Sequence, residues 1–181
     1  SHGCIFSLPP DAGFEHPQLK MAGHYRTLQA LASHPIHEGI FVTAGEDCQV
    51  LVWSATRCEL VGATVVSTPV QAAAIHPDGT KIVAGCINGM FEVLDSQSMR
   101  TIAKRRDVSG AITDIKFSPH ADFLAVASQN GWIDIYNPTG DTYQKLRRCK
   151  GHTSLVAHID WSVDSRILQS NSSSNEIIYF D

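Results

Sequence analysis

Apolar and polar residues alternate in short runs along the segment Gly23–Ser54, and turn residues separate these runs. No part of the segment carries a long 3.6-residue period, so the pattern is typical of half-buried β-strands rather than of helices. The segment opens with a Gly-His pair, and its last turn contains an acid. We predict three antiparallel strands here, at Leu28–Ser33, Ile40–Ala44 and Gln49–Ser54.

The same series of strands and turns recurs along the chain. A fourth strand, Glu59–Val65, completes the first series, and the pairs Asn88-Gly89 and Asn130-Gly131 indicate tight hairpins in the next two. The further predicted strands, in chain order, are Cys4–Leu8, Gln18–Met21, Val70–His76, Lys81–Gly85, Met90–Leu94, Arg100–Arg105, Ile112–Ser118, Phe123–Ser128, Trp132–Tyr136, Tyr143–Cys149, Leu155–Trp161, Ile167–Asn171 and Glu176–Phe180.

Landmark residues give the period of this repeat. Pro35, Pro77 and Pro119 follow one another at intervals of 42 residues. The ends of the third strands are 41, 42 and 44 residues apart, at Trp53, Leu94, Tyr136 and Phe180. A period of about 40–45 residues with four strands per unit is typical of a β-propeller. We therefore predict an all-β propeller of four-stranded antiparallel blades, with three full blades and partial blades at both ends.

The period divides the chain into five segments of one propeller. Residues 1–22 are the end of a preceding blade, 23–66, 67–107 and 108–150 are full blades, and 151–181 are an incomplete blade. Two accounts of the ring remain open. The chain is a piece of a larger propeller whose exposed blade faces associate with a second copy, or Gln18–Met21 adds a strand after Phe180 and closes a four-bladed ring.

Four residues of the first blade resemble the hydrogen-bonded set of the Trp-Asp (WD) repeat family: His24, Thr43, Asp47 and Trp53. The resemblance implies that the carboxylate accepts from the imidazole, the imidazole meets the hydroxyl, and the hydroxyl meets the indole N–H. Each buried polar group then has a partner. A hydrolase trio is the alternative, but Thr43 lies within a strand, without a nucleophile elbow or an oxyanion loop. The set is therefore interpreted as structural.

The other blades keep less of this set. The last blade retains His152 and Ser170, whereas the second and third have no matching histidine. The residues at the remaining positions are Ala84, Asn88 and Leu94 in the second blade, Val126, Asn130 and Tyr136 in the third, and Ser174 and Phe180 in the last. We expect apolar packing, more than polar contacts, to hold these blades together.

Composition limits the classes of function. Apolar residues make up 43% and charged residues 18% of the 181 residues, as in ordinary globular domains. The net charge of −4 gives no reason to expect a nucleic-acid partner, and no apolar run reaches the roughly 20 residues of a membrane span. No basic-apolar leader marks the chain for secretion, so a cytoplasmic location is expected.

Chemistry-bearing motifs are also missing from the sequence. The five cysteines are spread without a CxxC pair, so we expect buried reduced thiols and neither a metal site nor a redox motif. Paired carboxylates and a phosphate loop do not occur. We expect no cofactor and no enzymatic activity.

The final stretch, CKGHTSLVAHIDWSVDSRILQSNSSSNEIIYFD, resembles the echinoderm microtubule-associated protein-like family. That family ends similarly, with Cys-x-Gly-His-x-Ser, His-x-Asp-Trp-Ser, Ser-Asn-Ser and Glu-Ile-x-Tyr before an aromatic-Asp pair. The residues that carry the resemblance are Cys149, Gly151, His152, Ser154, His158, Asp160, Trp161, Ser162, Ser170, Asn171, Ser172, Glu176, Ile177, Tyr179 and Asp181. The resemblance implies a non-enzymatic scaffold of the cytoskeleton that binds tubulin or microtubules. A general WD-repeat adaptor, such as a substrate receptor or ciliary scaffold, is the alternative.

Candidate partner-binding residues lie in two basic clusters and one loop. The clusters, on or beside predicted fourth strands, are Lys104, Arg105 and Arg106, and Lys145, Arg147, Arg148 and Lys150. These strands form the outer edge of each blade, where charges oppose edge-to-edge pairing. Alternatively, adjacent rims form a basic strip for acidic partners such as tubulin tails. Tyr25 and Arg26, in a loop at the strand ends, complete the candidates, although solvated turns are polar in any case.

Overall fold

The structure, a computed structural model, describes residues 4–7 and 18–181, with side chains from residue 23 onward. Within these residues every regular element is a strand. The strands are β1 Cys4–Ser7, β2 Gln18–Ala22, β3 Leu28–Ser33, β4 Ile40–Gly45, β5 Gln49–Ser54, β6 Glu59–Val65, β7 Val70–Ile75, β8 Lys81–Cys86, β9 Phe91–Asp95, β10 Thr101–Arg105, β11 Ile112–Phe117, β12 Leu124–Ser128, β13 Trp132–Asn137, β14 Gln144–Lys150, β15 Val156–Trp161, β16 Leu168–Ser172 and β17 Ile177–Phe180.

Consecutive strands pair antiparallel into separate sheets. Three sheets have four strands each, β3–β6, β7–β10 and β11–β14, whereas β15–β17 form a sheet of three and β1 pairs with β2. The first strands of successive sheets lie side by side, β3 with β7, β7 with β11 and β11 with β15. This is the arrangement of propeller blades around an axis. The predicted fold class, with three full blades and partial blades at both ends, is confirmed.

The sheet pairing also bears on the closure of the ring. β2 pairs with β1, and it is not a member of the sheet that β17 ends. The hypothesis that Gln18–Met21 supplies the strand after Phe180 is therefore wrong, because the segment pairs with its neighbour in sequence instead. The sequence Pro9-Pro10-Asp11-Ala12-Gly13 also predicts a turn, but these residues lie outside those that the structure describes. The division of the whole chain into five segments stays a prediction, since its first segment falls partly on those residues.

Left-handed residues set where the outer strands begin. Cys58, Met99 and Tyr143 precede the fourth strands and have φ values of 52°, 56° and 46°. A residue with positive φ cannot continue an extended strand. For this reason the strand predicted at Tyr143–Cys149 begins one residue later, at Gln144. The strand predicted at Arg100–Arg105 begins at Thr101, which pairs with Leu94 of β9.

The four hairpins between second and third strands share one backbone feature. Their left-handed residues are Cys48, Gly89, Gly131 and Asn175, with φ between 60° and 77°. Gly89 has a second reason to be glycine, since a Cβ there would collide with the carbonyl oxygen of Val108. The Asn-Gly pairs therefore mark hairpins, as the sequence predicts, in the second and third blades.

The apolar core lies between adjacent blades. Val42 and Val52 of the first blade pack with Ile82 and Leu94 of the second. Between the second and third blades, Phe91 meets Tyr136 edge to face at 5.0 Å. Burial of each such side chain contributes about 1.5–3 kcal/mol. Each blade is therefore held mainly by its neighbours, which leaves the polar contacts within a blade to fix its strands.

Candidate functional site

The polar set of the first blade forms a continuous chain of hydrogen bonds. His24 Nδ1 lies 2.9 Å from both carboxylate oxygens of Asp47, and His24 Nε2 lies 2.8 Å from Thr43 Oγ1. Trp53 Nε1–H donates to the same hydroxyl at 2.7 Å. The four members come from the link before β3, from β4, from the β4–β5 hairpin and from β5. The set therefore ties four parts of the blade together.

Asp47 also accepts from the backbone. The N–H groups of Tyr25 and Gln49 donate to its carboxylate, each at 3.1 Å. Burial works against ionisation, but hydrogen bonds from His24, Gln49 and Tyr25 hold the pKa of Asp47 below its ordinary value. The carboxylate therefore remains charged at neutral pH and serves as the hub of the set.

This trio is unsuited to hydrolysis. His24, Thr43 and Asp47 are 2%, 5% and 5% exposed, so the hydroxyl has no access to a substrate. Among the described residues, four clefts of about 440–500 Å³ lie along the blades, and none is lined by a member of the trio. A nucleophile must lie beside a site where the reacting atom can sit. The geometry therefore favours the structural interpretation.

The last blade carries a related set with a different acid. His152 Nε2 lies 2.6 Å from Ser170 Oγ, and His152 Nδ1 lies 3.2 Å from Glu176. Glu176 also accepts from the N–H and hydroxyl of Thr153 at 3.0 and 2.6 Å. Ser174, which the spacing assigns to the acid position, does not take this place. Glu176 lies two residues later, and its longer side chain reaches back to the imidazole.

Stability at acid pH should depend on Glu176. Hydrogen bonds from Thr153, and then from Ser172, lower the pKa of Glu176 from 4.5 to about 2. A native carboxyl with a lowered pKa stabilises the fold above its unfolded pKa, and this stability is lost as pH falls through the native value. We expect the free energy of unfolding, from urea titrations, to fall between pH 4.5 and about 2, and Glu176→Gln to remove part of that fall.

A matched control for this test is Glu59→Gln, which changes an exposed acid whose one ion pair among the described residues is with Arg57 at the surface. If the free energy of unfolding of Glu176→Gln depended on pH as that of the unmodified protein does, the Glu176 carboxylate would not stabilise the blade.

The second blade is held by a buried acid that the repeat pattern does not reveal. Glu92 on β9 is 1% exposed, and its carboxylate lies 3.0 Å from Lys104 Nζ on β10. The Ser67 N–H, in the link before β7, donates to it at 2.9 Å. Although burial opposes ionisation, the bonds from Ser67 and Lys104 lower the pKa of Glu92. The acid therefore connects the third strand, the fourth strand and the preceding link.

The third blade has an equivalent acid with two cationic partners. Asp134 on β13 is 1% exposed, and it accepts from Lys145 Nζ at 2.6 Å. Arg148 donates through Nε and Nη2 at 2.6 and 2.9 Å, in a bidentate pair. Arg148 Nη2 also donates to the carbonyl oxygen of Asp107, in the link before β11. This acid-base clamp connects the same three parts of the blade as in the second.

One register position distinguishes the two kinds of blade. Glu92 faces Ala84, and Asp134 faces Val126. At the same register, Leu51 and Ile178 face the hydroxyl residues of the first and last blades. Blades with a buried hydroxyl thus have an apolar residue opposite it, and blades without one have an acid. The expectation that apolar packing takes over from polar contacts in the second and third blades missed these clamps.

The basic candidates therefore do not form one continuous strip. Lys104, Lys145 and Arg148 form ion pairs with buried acids. Arg105 donates to the carbonyl oxygen of Thr142 on the neighbouring blade. Arg147 lies with Cys149 on the opposite face of β14, 3.5 Å from the Asp181 carbonyl oxygen. Arg106 and Lys150 are exposed.

The two loop candidates differ in their contacts. The Tyr25 hydroxyl donates to the Asp47 carbonyl oxygen at 3.4 Å, so this residue is tied to the first polar set, although its side chain is half exposed. Arg26 is exposed. A partner-binding role for Tyr25 and Arg26 stays a prediction.

The neighbouring histidines His34 and His37 belong to a turn. His34 Nδ1 accepts from the N–H groups of Ile36 and His37, which explains the paired histidines as a turn. Burial raises the pKa of the Cys86 and Cys149 thiols. Cys58 is exposed, so the prediction of buried thiols is wrong at this position.

In the part of the chain that the structure describes, there is no group of side chains that could hold a metal ion and no helix long and apolar enough to cross a membrane.

Comparison with known proteins points to the family that the final stretch of the sequence resembles. A family model described as the echinoderm microtubule-associated protein second beta-propeller matches residues 28–181. The 77 kDa echinoderm microtubule-associated protein of Strongylocentrotus purpuratus is 38% identical over 176 residues, which cover 96% of this chain and 25% of the relative. Echinoderm microtubule-associated protein-like 4 of Homo sapiens is 32% identical over 166 residues, 91% of this chain and 17% of the relative. The chain thus spans a quarter or less of these two relatives.

Proposed function

The chain belongs to the echinoderm microtubule-associated protein family, and from this premise we propose that it is a non-enzymatic protein-interaction segment of a microtubule-associated scaffold. The match to the second propeller of that family over residues 28–181 carries the proposal. Binding of tubulin or microtubules, and a location on the cytoskeleton in the cytoplasm, belong to the same proposal. Both are taken from relatives named for association with microtubules.

The internal contacts of the blades support a binding role rather than a catalytic one. The buried acids Asp47, Glu92, Asp134 and the half-buried Glu176 each accept hydrogen bonds that connect strands of one blade. Catalysis needs acids or bases that face a substrate. The side chains outside these internal contacts lie on loops and blade edges, which is where propellers contact their partners.

Association of two copies through exposed blade faces also stays a prediction. Ile177 and Tyr179 on β17 are 61% and 65% exposed, and they give this face an apolar character that supports it.

The proposed function is tested by co-sedimentation of the intact protein with stabilised microtubules. We expect the protein to pellet with microtubules, and to remain in the supernatant when microtubules are left out. A globular protein of similar charge, added to the same tube, controls for trapping in the pellet. If the protein stayed in the supernatant at every microtubule concentration, the microtubule assignment would fail and the general adaptor would be the better account.

A further inference from the structure

A half-buried tryptophan on the third strand of the third blade is flanked by two cations of the outer strand β14. Trp132 begins β13 and pairs in register with Lys150 at the end of β14. The Arg148 guanidinium carbon lies 4.5 Å from the centre of the Trp132 ring, and Lys150 Nζ lies 5.3 Å from it. Both distances are within the range of cation–π attraction. The indole thus fixes two cationic side chains side by side at the blade edge.

Arg148 is fixed further by the clamp beneath it. Its guanidinium donates to the Asp134 carboxylate and to the carbonyl oxygen of Asp107, and Lys145 shares the charge of Asp134. The side chain has therefore already lost most of its rotamer freedom before a partner arrives. Ordering a long cationic side chain is one of the main costs of binding at a surface.

The charges of Lys150 and Arg106 remain available to a partner. Lys150 and Arg106 are exposed, and neither has an ion pair among the described residues. Arg106 directly precedes Asp107, whose carbonyl oxygen accepts from Arg148, so its backbone lies beside the platform. Around the acids Asp134 and Asp107 are four cations, Arg106, Lys145, Arg148 and Lys150, of which Lys145 and Arg148 donate to Asp134. The edge between the second and third blades is thus locally positive on a chain whose net charge is −4.

We propose that Trp132, Arg148, Lys150 and Arg106 form a binding site for an acidic, glutamate- or aspartate-rich peptide segment of a protein partner. Carboxylates of the segment pair with Lys150 and Arg106, while Trp132 and Arg148 supply a rigid platform against which the peptide packs. The inference rests on the proposed scaffold function and names the surface and the partner chemistry that serve it.

The site is tested with a fluorescein-labelled oligoglutamate peptide titrated against the protein by fluorescence anisotropy. We expect measurable binding at low ionic strength that weakens as salt is raised, because exposed charges are screened. The double variant Arg106→Gln/Lys150→Gln should bind about tenfold more weakly. The matched control, Arg57→Gln/Arg100→Gln, removes two exposed arginines elsewhere and changes the net charge equally. It should bind like the unmodified protein.

Equal loss in the two double variants would reduce the effect to net charge and overturn the site, as would absence of binding by the unmodified protein. Thermal melts of both variants should match that of the unmodified protein, which separates lost binding from lost folding. Co-sedimentation of the same variants with microtubules separates this site from the proposed function. If Arg106→Gln/Lys150→Gln still pellets normally, the site is wrong and the microtubule role stands; if the unmodified protein does not pellet, the role itself fails.

Discussion

Replacing Asp134 with alanine is expected to lower the free energy of unfolding by about 3 kcal/mol. The carboxylate is 2% exposed, whereas the side chains of its partners Lys145 and Arg148 are 28% and 25% exposed. Removing the acid leaves two half-buried cations close together without a counter-charge. It also frees Arg148 from the position in which it holds the carbonyl oxygen of Asp107. Urea unfolding followed by tryptophan fluorescence measures the loss.

The contribution of the ion pairs to stability is measured by making Asp134→Ala in a variant that lacks the two cationic partners. In a protein that already carries Lys145→Ala and Arg148→Ala, Asp134→Ala should cost much less, since the cations that it would strand are absent. If Asp134→Ala cost the same in both backgrounds, the ion pairs would not contribute and the loss would come from the cavity alone.

Replacing Asp47 with alanine is expected to lower the free energy of unfolding by about 2 kcal/mol and the melting temperature by roughly 4–8 °C. The change leaves the buried His24 ring without its acceptor, and it frees the N–H groups of Tyr25 and Gln49. Differential scanning calorimetry gives both quantities.

Glu46→Ala is the matched control for Asp47. Glu46 is the adjacent acid on the same hairpin, but it is exposed and accepts only from the Gln29 side chain, at 3.3 Å, among the described residues. Its replacement should change the melting temperature by no more than the small effect of an ordinary surface substitution. Equal melting temperatures for the two variants would show that the polar set of the first blade does not stabilise it.

The fold was predictable from the sequence because its information is local and repeated. Each blade repeats the alternation of apolar residues and the turn residues of its hairpins, so Pro35, Pro77 and Pro119 are enough to fix the period. The His24 set was predictable for the same reason, because its four members occupy fixed places in one repeat. Their hydrogen bonds were implied by the resemblance to the WD-repeat family, and the structure shows them.

The acids that anchor the other blades were missed for two physical reasons. Glu176 reaches His152 only because a glutamate is longer than the aspartate expected two residues earlier. The clamp of Asp134 depends on a register shift between Ile135 and Tyr136. This shift places Lys145 and Arg148, three residues apart, against the same acid, whereas strict alternation would put them on opposite faces. The cluster of cations on β14 was predictable from the sequence, but the face of the strand on which each cation lies was not.

The structure therefore divides the basic residues of the outer strands into two groups. Lys104, Lys145 and Arg148 neutralise buried acids and hold strands together, whereas Arg106 and Lys150 remain exposed on the blade edge. In this account the first group determines stability, and the second, with the Arg148–Trp132 platform, determines binding. The protective role of edge charges and the binding role are thus assigned to different residues of the same clusters.

The most direct test of this account is the fraction of the intact protein that pellets with microtubules when single lysines are changed. Lys104→Gln and Lys150→Gln remove one charge each from neighbouring outer strands, and both are assayed at a temperature where circular dichroism shows the protein to be folded. We expect Lys104→Gln to pellet like the unmodified protein and Lys150→Gln to pellet less. The division of the basic residues into a stabilising and a binding group is wrong if Lys104→Gln weakens pelleting as much as Lys150→Gln does, or if neither change has an effect.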